Sequence, residues 1–317
     1  MGRRKGESFL LGEVNLPPDQ AAGFFGERGG EQLDMLFSFT VNQAMYLALA
    51  REDAQPLIAA LEALPPIPDD CQWAHFVRNH DELTLDKLSP EEREEVFAAF
   101  GPDPGMQMYG RGLRRRLPAM LGGDQRRIRM VYSLMFSLPG TPVLFYGEEI
   151  GMAENLAIEG RYAVRSPMQW SDEPHAGFTT GDEPCRPLPA DGPFAYGEVN
   201  VARQRREPGS LLNWMERLIR RRRECPELGW GDWTLLPQDE PAVLAHRADW
   251  EGSTIVALHN LGGRAAQARL ALGEEGLLVD LLGDDDVDAG GGEPELALEP
   301  YGHRWFRLRR PGQRVAP

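Results

Sequence analysis

Lysine is nearly absent: of 34 basic residues only Lys5 and Lys87 are lysines. Schiff-base chemistry and phosphate loops both depend on a lysine and are poorly supplied here. The three cysteines, Cys71, Cys185 and Cys225, lie too far apart for a CxxC metal or redox spacing. Their odd number also argues against a disulfide framework, so a reducing compartment and a cytoplasmic location are expected. No apolar run approaches the ~20 residues of a membrane span, and basic Met1–Lys5 leads into a short strand-like run instead of a signal sequence. A membrane partner is therefore not expected. Also missing are GxSxG, GxxxxGK[ST], HExxH and a helix-opening GxGxxG.

Positive charge is short as well. Forty-nine acidic residues against 34 basic ones give a net charge of −15, which disfavours nucleic acid, because that affinity rests on cationic contacts. A neutral or cationic partner fits better. The basic runs Arg114–Arg116 and Arg220–Arg223 are expected to be solvated, the second closing a helix whose dipole favours cations.

With 317 residues, 42% of them hydrophobic, the chain can bury a sizeable core. Its length admits roughly two domains, or one α/β barrel of ~250 residues with a small appendage. Phe9–Val14, Leu33–Phe39, Trp73–Val77 and Pro142–Tyr146 are apolar runs alternating with helical patterns, as in βα units whose strands are buried on both faces. Ser89-Pro90-Glu91-Glu92 predicts a capping box for a helix ending near Phe100, Asp124 starts another that stops at Pro139-Gly140, and Ser210 caps Leu211–Cys225. After Trp233 the texture changes to short strands at Val243–Arg247, Thr254–His259, Ala268–Leu272, Leu277–Leu281, Glu295–Leu298 and Trp305–Leu308, which predicts a small antiparallel sandwich. The acidic stretch Asp284–Asp286 lacks the EF-hand pattern and is expected to be a solvated hairpin.

In parallel α/β sheets chemistry collects at the C-terminal ends of strands. Two such ends are polar, Gly12-Glu13-Val14-Asn15 and Arg78-Asn79-His80-Asp81-Glu82. A carboxylate at each suits acid/base or glycosyl-transfer chemistry, where one group protonates a leaving oxygen and another stays ionised beside developing positive charge. By itself this pattern also fits helix capping and loop-amide binding, and His80 alone reads as a packed histidine.

Longer motifs carry more. Phe76–Leu85 (FVRNHDELTL), Leu138–Met152 (LPGTPVLFYGEEIGM) and Val164–Trp170 (VRSPMQW) resemble the α-amylase family, glycoside hydrolase family 13, and within it the trehalose-synthase branch of maltose α-D-glucosyltransferases. The resemblance implies the C-terminal half of a (β/α)8 TIM barrel, strands five to eight, over residues 1–232, and a small all-β sandwich over 233–317. It implies that Glu13 is the general acid/base and Asp81 the transition-state stabiliser. His80 and Arg165 would hold the glucosyl unit, and Asn79 would support the turn beside them. Maltose, trehalose or related α-glucosides would be the substrates, with an α-glucosidase or α-amylase type of hydrolysis as the alternative outcome. No cofactor is expected in this chain, because the family's calcium ligands lie in the other barrel half.

The family mechanism also needs an aspartate nucleophile on a strand preceding the one that carries Glu13. None of the twelve residues before Glu13 is an aspartate. The expectations are an interrupted gene, with Met1–Ser8 running straight into the strand, a split enzyme completed by a separate N-terminal half-barrel chain, or a non-enzymatic carbohydrate-binding or interaction remnant. An open half barrel would also invite self-association.

Overall fold

The computed structural model describes residues 9–26 and 32–312. The expectation placed on Met1–Ser8 lies outside them. Leu11–Gly12, Met35–Phe37, Gln72–Phe76 and Thr141–Val143 form a parallel sheet in chain order. The helices Phe39–Arg51 and Gln55–Glu62 follow the second strand, while Pro90–Phe100 and Gln125–Ser137 lie between the third and fourth.

Helix starts follow local chemistry. At Pro90–Phe100, Ser89 Oγ accepts from the Glu92 amide at 3.2 Å and Glu92 Oε2 accepts from the Ser89 amide at 3.0 Å, a complete capping box. Asp124 accepts from the Arg126 amide ahead of Gln125–Ser137, and Ser210 accepts from the Asn213 amide ahead of Leu211–Arg223. These are the caps expected from sequence.

The parallel strands depart from expectation in two ways. Each is shorter than its apolar run or equal to it, and only the inner pair is deeply buried. Leu36, Ala74 and Phe76 are sequestered, whereas Leu11 and the whole of Thr141–Val143 stay partly solvated and Phe9 is 68% exposed. Among the described residues the two outer strands have a hydrogen-bonded neighbour on one side only, so apolar composition does not bury them. A second small sheet, Leu83–Thr84, Gly112–Leu113 and Gln107–Met108, was not foreseen, because two-residue strands carry no readable period.

The six-stranded antiparallel sheet runs from Asp232–Leu235 through Val243–Trp250, Ser253–Asn260, His303–Arg309 and Leu277–Asp280 to Val287–Asp288. A two-stranded ribbon, Ala266–Arg269 with Glu295–Leu298, supplies the facing layer. The period-two rule divides the sheet's side chains between two cores. Val256, Leu258 and Phe306 meet Leu270 and Leu296 of the ribbon side, whereas Ile255, Ala257 and Trp305 join the core that includes helix Gln125–Ser137. Trp305 Nε1 donates to Ser133 Oγ at 3.0 Å, Ser133 Oγ also meets His259 Nε2 at 3.0 Å, and Ser137 Oγ meets His246 Nε2 at 3.1 Å. One continuous core thus crosses the junction between the parallel and antiparallel parts. Burial keeps the histidines neutral, pushing His246 down to about 3 and His303 to about 4.

The acidic stretch is exposed, and Asp286 Oδ1 accepts from the Asp280 amide at 2.9 Å. Arg222 corrects the expectation of a fully solvated basic run. It turns inward, donates to the Gly140 carbonyl at 2.6 Å, and is lowered by burial to about 10.

Candidate active site

Glu13 sits exposed just beyond the first parallel strand, and His80 and Asp81 lie beyond the third. The turn that presents them is built from below. Buried Arg78 donates Nη2 to the Asp81 carbonyl at 2.6 Å and Nε to the Arg115 carbonyl at 2.7 Å. Asn79 Oδ1 accepts from the Asp81 amide at 3.1 Å, a local side-chain turn. Two strand ends are thereby joined into one cluster: one potential ligand atom from each of Glu13, His80 and Asp81 lies within 4.8 Å of the others.

The segment after the fourth strand closes the cluster with guanidinium groups. Arg165 hydrogen-bonds Asp81 Oδ1 and donates Nε to the His80 carbonyl at 2.5 Å. Arg161 Nη1 lies 2.8 Å from Asp81 Oδ2, and its Nη2 lies 3.5 Å from Glu82. A side-chain hydrogen bond with Tyr109, helped by the carboxylates of Glu82 and Asp81, holds Arg161 above its ordinary range against the opposing effect of burial. Both oxygens of Asp81 therefore face a guanidinium group.

Every site residue named from sequence other than Asn79 enters this cluster, and Asn79 stands directly under it. Several supports were missed. Asp86, one residue past the first motif, accepts from Asn15 Nδ2 at 2.8 Å and Gln43 Nε2 at 3.2 Å, so it ties the Glu13 loop to the Asp81 loop. Burial acts to raise Asp86, but the hydrogen bonds from Asn15, Lys87 and Gln43 hold it below the usual carboxylate range.

The second correction of charge concerns Arg114–Arg116, which is not a solvated run. Arg116 is buried, donates twice to the Val164 carbonyl, at 3.0 and 2.7 Å, and once to Tyr146 at 2.8 Å, and lies 4.6 Å from the Phe145 ring centre. Arg115 pairs with Glu154 at 2.8 Å, and Arg114 donates to the carbonyls of Ile158 and Leu156. This triplet anchors the segment from which Arg161 and Arg165 project. Gly147 permits the approach: its φ is +84°, and a Cβ there would stand 2.5 Å from Met152 Sδ and 3.0 Å from Arg116 Nη1. Glu148 beneath is raised to about 7 by burial, against the lowering effects of the Phe145 amide, Arg116 and Arg78. No motif announces these partners, since the carbonyls they use belong to residues distant in the chain.

Residues 114–231 match the model of the alpha amylase catalytic domain, and residues 252–307 match the sucrose hydrolase-like C-terminal domain. The chain belongs to the α-amylase family. Among its relatives, a trehalose synthase of Thermus thermophilus is 38% identical over 305 residues, covering 95% of this chain and 31% of the relative. A trehalose synthase/amylase of Mycobacterium tuberculosis is 36% identical over 309 residues, covering 94% of this chain and 51% of the relative. The chain thus spans about half or less of these curated relatives. The crystal structure of the α-amylase from H. orenii aligns with a TM-score of 0.69 at 22% identity, over 95% of this chain and 53% of that one. At that identity the likeness speaks for the α/β fold with a C-terminal β domain.

Within the family frame, no helix among the described residues is long and apolar enough to cross a membrane.

Proposed function

We propose that this chain carries the acid/base and charge-stabilising part of a retaining glucosyl-transfer site that acts on maltose, trehalose and related α-glucosides. The observation that carries the reading is the convergence of Glu13 and Asp81 from different strand ends, with Arg165 and Arg161 fixed on Asp81. Glu13 protonates the departing glucose oxygen. Asp81, held in place by the two arginines, stabilises the oxocarbenium-like charge, while His80 and Arg165 orient the retained glucosyl unit. Return of the departing glucose through a different hydroxyl gives the isomeric disaccharide, and capture by water gives hydrolysis.

The nucleophile that forms the glycosyl-enzyme is assigned to the barrel half that lies outside the span this chain matches in its relatives, whose strands would add to the open edges of a sheet numbered five to eight. Calcium ligands, where present, are assigned to that half too. On this reading the isolated chain turns over no maltose. Mixed with a separately expressed polypeptide corresponding to the preceding part of its relatives, it should convert maltose to trehalose, and Glu13→Gln should abolish the conversion. Glucose without trehalose would instead identify a hydrolase. Turnover by the isolated chain that Glu13→Gln removes would sink the assignment of the nucleophile elsewhere.

A further inference from the structure

The hairpin joining Gln107–Met108 to Gly112–Leu113 turns at Tyr109-Gly110, closed by the Arg111 amide donating to the Met108 carbonyl at 3.2 Å. Both central residues are left-handed, with φ of +55° at Tyr109 and +63° at Gly110. A two-residue turn with both φ values positive favours asparagine, aspartate or glycine at its first position, and a bulky aromatic there is strained. Tyr109 gains no core packing for that strain, since it is 60% exposed. Its ring lies beside Arg161, whose guanidinium carbon is 5.9 Å from the ring centre and whose Nη1 is 2.8 Å from Asp81. The strained turn therefore holds a solvated aromatic face one guanidinium group beyond the carboxylate that carries the proposed chemistry. Backbone strain of this kind persists where surrounding structure over-determines it and clusters at binding sites.

A pyranose presents an apolar C–H face and a rim of hydroxyls. A tyrosine supplies a rigid flat surface for the first at small entropic cost, and a guanidinium supplies fixed donors for the second. We propose that Tyr109, backed by Arg161, is the platform for the second, departing glucose of a disaccharide, making it a specificity-determining residue for maltose over glucose. This inference rests on the glucoside reading of the Asp81 cluster. Tyr109 is a binding residue in this scheme, whereas Arg161 also positions Asp81 and is unsuitable as a selective test.

Replacing Tyr109 with Asn separates binding from folding, because asparagine suits the left-handed turn while removing the ring. The full chain is titrated with glucose and with maltose at millimolar concentrations, followed by saturation-transfer NMR, and Tm is measured alongside. The parent is expected to favour maltose over glucose by roughly two- to tenfold, the worth of one aromatic contact. Tyr109→Asn should lose that preference, leave glucose binding intact, and show a Tm equal to or above the parent's. Tyr109→Trp should keep the preference. Persistence of the maltose preference in Tyr109→Asn overturns the platform while leaving the glucoside reading in place. Loss of both sugars together with a lowered Tm also overturns it, since the residue would then be structural. If the parent binds neither sugar, the glucoside reading fails, and the platform fails with it.

Discussion

Two apolar surfaces of the same chain meet opposite fates. Along helix Gln125–Ser137, the side chains of the C-terminal sheet close the core, and polar side chains pair across it: Trp305 and His259 with Ser133, and His246 with Ser137. Along the first parallel strand, Phe9, Leu10 and Leu11 remain 68%, 40% and 40% exposed. Both stretches are rich in hydrophobic residues, so composition does not distinguish them. What differs is a partner: antiparallel strands returning through tight turns bring their own covering layer, whereas an outer parallel strand needs a neighbour from further along a chain or from another one.

The closed surface should be the sensitive one. Trp305→Ala removes a fully buried ring and its hydrogen bond to Ser133, so unfolding stability should fall by about 3–5 kcal/mol. Urea denaturation measures this, and a loss below about 1 kcal/mol would show a loosely packed junction.

Acid should open the same surface by a smaller amount per group. Burial lowers His246 to about 3 and His303 to about 4, below their unfolded value of ~6.5. The native state therefore binds fewer protons than the unfolded one, so this contribution is intact above pH 6.5 and is lost as pH falls toward 4. The loss is about 1 kcal/mol per pH unit for each histidine. Stability measured from pH 8 to pH 5 should fall less steeply for His246→Gln than for the parent. Equal slopes would mean that His246 is solvated in solution.

The open surface should respond least. Phe9→Ser is expected to change stability by no more than about 0.5 kcal/mol. Reduced self-association in sedimentation velocity would accompany it. A large destabilisation would erase the contrast, since it would mean that another copy of the chain already covers the strand.

Local features were legible in the sequence because they are settled within a few residues. The Ser89 capping box, the Asp124 and Ser210 caps and the Asn79 turn each satisfy backbone groups three positions away or fewer. His80, Asp81 and Arg165 were singled out by the long motifs and Glu13 by its place after an apolar run, and the structure brings the four together. Arg116 was misread as solvated because its acceptors, Tyr146 and Val164, lie 30 and 48 residues onward. Asp86 was passed over for the same reason, its donors coming from Asn15 and Gln43.

The amino-acid sequence by itself determined the order of parallel and antiparallel segments, the starts of three capped helices and the family, and it named the candidate residues that the fold brings together. These rest on short-range hydrogen bonding, periodicity and motif identity. Only the tertiary structure decided that Arg116 is buried and that Arg114 and Arg115 are tied to distant partners, that two arginines hold both oxygens of Asp81, that Tyr109 stands over one of them, and which apolar strands remain uncovered. Each of these depends on which distant backbone carbonyls and side chains the packed chain brings within hydrogen-bonding reach, and linear spacing carries no record of that.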